Sequence, residues 1–157
     1  MLIPVIIQFR FWGSLHLCGI LIIAVENIVP VNRSILVDGW QADTEERGLA
    51  FFDTSTAVRR LKDNAADQFL EVVEPTDITA LLRHLPHCRS IVTTGEKATQ
   101  TVCASLHLPI IPKVNEAVTI VPPLLLYRLP SSSRAYPLSF DKKVEAYRRM
   151  AEKVGLI

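Results

Sequence analysis

The stretch Leu124-Leu125-Leu126-Tyr127-Arg128-Leu129-Pro130-Ser131-Ser132-Ser133-Arg134-Ala135-Tyr136 decides how the chain is read. Its first six residues are apolar enough for a buried strand, and Pro130 closes the run. A hydroxyl-rich loop carrying one cation comes next. Residues 140–149 then read as an amphipathic helix. A buried strand thus ends in a small polar loop before a helix. In open α/β sheets, the carboxyl ends of strands are where ligands bind. Serines offer donors and acceptors with little bulk, and an arginine forks onto phosphate. A solvated Ser-rich loop capping a helix explains these same residues equally well.

Two upstream stretches have the same form. In Arg89-Ser90-Ile91-Val92-Thr93-Thr94-Gly95-Glu96-Lys97-Ala98, a short apolar strand runs into the turn Thr93-Thr94-Gly95. Residues 97–106 read as a helix with Val102, Cys103 and Leu106 on its apolar face. Backbone N–H groups at such a helix start form an anion site. The turn is not a P-loop, because GxxxxGK[ST] is absent. In Gly48-Leu49-Ala50-Phe51-Phe52-Asp53-Thr54, an apolar run ends abruptly in polar residues. Asp53 reads either as a site carboxylate or as a cap for the next helix or turn.

Between these stretches, Arg59, Arg60 and Lys62 form a local basic patch, the kind of run that is usually a solvated face. Residues 63–67 offer caps for a short helix running through Phe69 and Leu70. Thr76 is a good N-cap for a helix with Ile78, Leu81, Leu82 and Leu85 on one face, ended by Pro86. His84 and His87 suit the end of that helix, and no third metal ligand accompanies them. Residues 118–121 and 124–129 are strand candidates around Pro122-Pro123. The closing helix is expected to bury Phe140, Val144, Tyr147 and Ala151.

Length, composition and charge set the outer limits. A chain of 157 residues suits one domain, residues 1–157, and 49% apolar content is enough for a core. A formal charge of +1 provides no global basic field, so any nucleic-acid contact must come from local clusters. Cys18, Cys88 and Cys103 show no zinc spacing and read as reduced thiols of a cytoplasmic protein. Residues 1–31 form an atypical apolar segment. It lacks a clear signal-peptide pattern, and Gln8, Arg10 and His16 interrupt any membrane span. One or two core elements, or attachment to a membrane, are its alternative readings.

The alternation of short apolar strands with amphipathic helices predicts an α/β domain, a three-layer α/β/α sandwich with a short, mainly parallel central sheet. Such a sheet collects Asp53-Thr54, Thr93-Thr94-Gly95 and residues 131–134 at one edge. That convergence points to a small polar ligand or a phosphate.

Together the three stretches resemble the uracil-DNA glycosylase superfamily, in its mismatch-type and deoxyinosine-type branch. The family's Pro-Ser-Ser/Thr-Ser loop and its Ser-x-(Asp/Glu)-Lys helix start are matched by Pro130-Ser131-Ser132-Ser133 and Ser139-Phe140-Asp141-Lys142. Thr94-Gly95-Glu96-Lys97-Ala98 matches its Thr-Gly-x-Lys-Ala turn, and residues 48–53 match its Gly-(apolar)-Ala-(apolar)-Phe-Asp strand. Arg59-Arg60-Leu61-Lys62-Asp63-Asn64 resembles the segment after that strand. The likeness covers residues 47–153.

The resemblance implies a hydrolase that flips a damaged base, such as uracil or hypoxanthine, out of double-stranded DNA and cleaves its N-glycosidic bond. It implies no metal and no cofactor. By resemblance, Phe52, Asp53, Thr94 and Gly95 line the base pocket, and Lys97 sits near its rim or the DNA backbone. Ser131, Ser132 and Ser133 grip phosphates, Arg134 probes the minor groove, and Arg59 and Arg60 add phosphate contacts. One departure stands out. The family's first motif, a Gly-x-x-Pro-like turn that positions the attacking water, has no match here. This implies either a missing first strand or a non-catalytic relative. Asp53 is the candidate general base in its place. A non-enzymatic nucleic-acid- or nucleotide-binding module is the competing expectation. A serine hydrolase is disfavoured because no GxSxG elbow is present.

Overall fold

The computed structural model describes residues 19–24, 49–61, 70–133 and 136–157. In chain order its elements are β1 (Gly19–Ala24), β2 (Leu49–Asp53), β3 (Ser55–Arg60), β4 (Leu70–Pro75), α1 (Ile78–His84), β5 (Cys88–Thr94), α2 (Glu96–Ser105), β6 (Ala117–Val121), β7 (Leu124–Leu129) and α3 (Phe140–Lys153). The chain is a small α/β protein. No helix among the described residues is long and apolar enough to cross a membrane.

Five strands form one sheet in the order β2-β1-β5-β7-β6. Among the described residues only β5 and β7 pair in parallel; β1 with β2, β1 with β5, and β6 with β7 are antiparallel. The expected mainly parallel sheet is therefore corrected to a mixed one. Part of the reason is local: β6 and β7 are joined directly through the cis Pro122-Pro123 turn, a connection that reverses direction. The other reversal comes from β1, which stands between β2 and β5 and runs against both. Residues 19–24 supply the antiparallel strand beside β5.

The core lies on both faces of β5 and β7. Ile91, Leu124 and Leu126 meet Ile78, Leu81 and Leu85 of the α1 region and Val102 and Cys103 of α2. Val92, Tyr127 and Leu129 meet Ala146, Tyr147 and Met150 of α3. Alternate residues of a strand point to opposite faces, so Ile91 and Val92 serve different helices. Ile91, Leu126 and Leu129 are wholly buried, each contributing about 1.5–3 kcal/mol. Phe140, expected in the core, is exposed. It occupies the first turn of α3, ahead of the residues that meet β7.

Residues 55–75 depart from the sequence reading. Ser55–Arg60 and Leu70–Pro75 pair as a separate two-stranded antiparallel ribbon, so Leu70 opens a strand instead of closing a helix. Ribbons of two strands are marginal alone. This one is tied to the sheet at its root, where the Thr76 amide donates to the Thr54 carbonyl at 2.9 Å and the Thr76 hydroxyl donates to the Asp53 carbonyl at 2.6 Å. With Thr76 so engaged, Asp77 takes over the capping of α1, its carboxylate accepting from the Ala80 amide at 2.8 Å.

Candidate functional site

The mixed sheet still gathers the three turns. Asp53 at the end of β2 pairs with Gly19 at the start of β1, and Ile20 pairs with Thr93 near the end of β5. Thr94 pairs with Leu129 at the end of β7. The antiparallel β1 lies between two strands that run alike, so the carboxyl ends of β2, β5 and β7 share one edge.

At the β5–β7 end the fit is close. The Gly95 amide donates to the Leu129 carbonyl at 3.0 Å. Gly95 has φ +87°, and a Cβ built there would stand 3.3 Å from Ser131 Cβ. Only glycine adopts this backbone easily. Beneath the turn, the Thr99 hydroxyl donates to the Gly95 carbonyl at 2.6 Å and lies 2.8 Å from the Thr93 hydroxyl, all buried. Glu96 sits in the first turn of α2, 3.5 Å from Arg128, and so supplies the negative charge that the helix start favours.

Helix α3 holds the serine loop from the other side. Lys143 Nζ donates to the Ser133 carbonyl at 2.6 Å and lies 5.7 Å from the Tyr136 ring centre. Burial pushes the Tyr147 phenol well above the ordinary value, and the neighbouring Ser132 offsets part of the rise. The Ser133 amide donates to Ser131 Oγ at 3.2 Å. The loop is braced at Ser131 and Ser133. Neither Lys143 nor Tyr147 is singled out by sequence reasoning as a site residue, although their spacing of four places both on one helix face.

Phe52 and Asp53 lie apart from this cluster. They line a groove of about 520 Å³ with Ser55 and Thr56 of the ribbon and Thr76, Asp77, Ala80, Leu81 and His84 of the α1 region. Thr94 and Gly95 do not line it. The expected base-pocket residues are therefore split: two in the groove and two across β1 at the β5–β7 turn. Adjacent strands are about 4.8 Å apart, so two strand spacings, about 10 Å, separate β2 from β5. Asp77 and Thr76 are legible in the sequence as a helix start but not as a wall of a groove.

Arg59 sits opposite Glu71 in the ribbon and pairs with it at 3.2 Å. Exposed pairs of this kind contribute little to stability. Arg60 lies in β3, and Lys97 in the first turn of α2 is half-buried. Arg134, the expected groove probe, and Lys62 fall outside the described residues, as do residues 1–18 and 25–48. Cys88 and Cys103 are free thiols, and burial pushes both upward, Cys88 to about 11. Neither is poised as a nucleophile. No family model matches the chain, and no curated protein or solved structure matches it.

Proposed function

We propose that this chain is a DNA base-excision glycosylase of the uracil-DNA glycosylase type, built on the three-layer α/β/α plan, and that the shared edge of β2, β5 and β7 is its DNA-binding face. The observation that carries this is the meeting of three sequence-distant turns, at Asp53, Thr94-Gly95 and Ser131, on that edge. These are the stretches that resemble the family's motifs, and they stand in the family's order.

In this reading the braced serine loop receives the phosphates beside the lesion, with Ser131, Ser132 and Ser133 as donors and Arg134 and Lys97 as cations. Holding the loop in advance removes an ordering cost that binding would otherwise carry. Phe52 stacks on the extruded base. Asp53 accepts a proton from the attacking water, and the water oxygen bonds to the sugar C1′ as the base departs. The partner is double-stranded DNA with a damaged or mismatched base.

A second reading, a non-catalytic nucleic-acid-binding module, has one specific observation in its favour. The Gly-x-x-Pro-like turn is absent, and the antiparallel β1 brings its first residue, Gly19, to the site edge. Base release from duplexes carrying uracil or hypoxanthine separates the two. Release that Asp53→Asn abolishes supports the enzyme; duplex binding without release supports the module.

A further inference from the structure

Glu96 places a carboxylate one residue from the contact between Gly95 and Ser131. A helical Cα–Cβ bond tilts toward the helix start, so a side chain in the first turn of α2 is aimed by default toward the Gly95 turn and the serine loop. Two bonds draw this one the other way. Glu96 Oε1 accepts from Gln100 Nε2 at 3.0 Å, one turn further along α2. Glu96 Oε2 lies 3.5 Å from Arg128 Nη2. Arg128 is itself fixed. Its backbone stands opposite Thr93 of β5, its amide donates to the Glu116 carbonyl at 3.0 Å, and its carbonyl accepts from the Asn115 amide at 2.7 Å. Its Nη1 donates to the Pro112 carbonyl at 3.3 Å. The Arg128 side chain is 15% exposed, against 68% for Glu96. The anchored partner is therefore the cation, and the movable one is the carboxylate.

We infer that Arg128 is a positioning residue for the serine loop: it holds the Glu96 carboxylate along α2, where that carboxylate does not face the anion the loop receives. This rests on the glycosylase reading for the anion, a DNA phosphate, and it gives a role to a side chain that the family resemblance does not use. A pair with one exposed partner at this distance adds little stability. What the contact changes is where the negative charge sits. Freed from Arg128, the carboxylate swings toward Ser131 and repels phosphate. Two charges that act independently give additive effects on binding. A carboxylate that moves when its partner is removed gives non-additive ones.

The test is the affinity of the full chain for a duplex carrying one uracil, at low salt, in the wild type, Arg128→Met, Glu96→Gln and the double variant. The expected result is about fivefold weaker binding by Arg128→Met. Glu96→Gln alone leaves affinity within about twofold of wild type, and in the Arg128→Met background it restores the wild-type value. Arg128→Gln, which keeps a donor for the Pro112 carbonyl and loses the charge, gives the same answer if Arg128→Met fails to fold. Wild-type affinity in the Arg128 variants overturns the inference. So does a loss that Glu96→Gln leaves in place, the mark of a fold defect, and so do additive effects, the mark of charge acting at a distance. Base release is followed in the same proteins. The expected binding pattern without base release leaves the inference standing and removes the glycosylase reading. Base release by the wild type with any of the overturning patterns removes the inference and leaves that reading. No duplex binding by the wild type removes both.

Discussion

Gly95 and Ser131 touch so closely that a single methyl group on Gly95 would press on the Ser131 side chain, 3.3 Å away. The contact joins the end of β5 to the loop after β7, and it exists because Gly95 holds φ +87°. Gly95→Ala therefore meets both a backbone and a steric penalty. The expected loss is about 1–3 kcal/mol, seen as a lower denaturant midpoint with an unchanged slope. Duplex affinity should fall with it. Wild-type stability and affinity in this variant would mean that the contact does not shape the loop.

Thr99 supports the same turn from below. Thr99→Val keeps the shape but removes the Gly95 carbonyl's 2.6 Å donor and the Thr93 hydroxyl's 2.8 Å partner, leaving only the longer bonds from the Thr99 amide and to the Tyr127 carbonyl, each 3.4 Å. Both groups are buried, so the cost should be about 1–3 kcal/mol. Thr101→Val, which removes a half-buried bond to the Lys97 carbonyl within the same helix, is the control and should cost well under about 1 kcal/mol. Equal effects in the two variants would contradict a special role for the buried pair.

The strand-turn-helix unit around Thr94-Gly95 is legible in the sequence because its elements are short, local and strongly patterned. The three-turn edge is legible for a different reason. Each turn comes after an apolar run, and runs of like direction end together whatever lies between them. What the sequence conceals is pairing. Residues 55–60 and 70–75 carry mixed apolar and charged side chains, so their ribbon appears only when Arg59 is set opposite Glu71. The direction of β1 is equally hidden, since an apolar run reads the same forward and backward. The groove escapes sequence reading because its walls come from residues 52–56 and 76–84, and Asp77 and His84 each have an adequate local explanation, as cap and as helix end.

Lys143 tests whether the serine loop is held for a purpose. Its 2.6 Å bond to the Ser133 carbonyl is half-buried, while the helix around it packs through other residues. Lys143→Met should leave the thermal midpoint within a few degrees and weaken duplex binding by about tenfold. Lys143→Arg should restore much of the binding. Full binding by the methionine variant would show that the loop needs no brace.

Acid should act through Glu145. Its bonds with Arg148 and Arg149 hold its carboxyl down to about 2, from an ordinary 4.5. A depressed carboxyl gives stability above its unfolded value and loses it as pH falls. The window therefore runs from about pH 4.5 down to about 2. Glu145→Gln should flatten the fall in stability across that window, the two proteins differing most at neutral pH and converging below about pH 2. High salt should shrink the difference. An identical acid limb in wild type and variant would contradict the assignment.

The central claim is that this edge flips and releases a base. The most direct measurement is single-turnover base release from duplexes carrying uracil or hypoxanthine, at low salt so that phosphate contacts persist. The account predicts release by the full chain, abolished by Asp53→Asn while duplex binding remains. No release together with no duplex binding would contradict it.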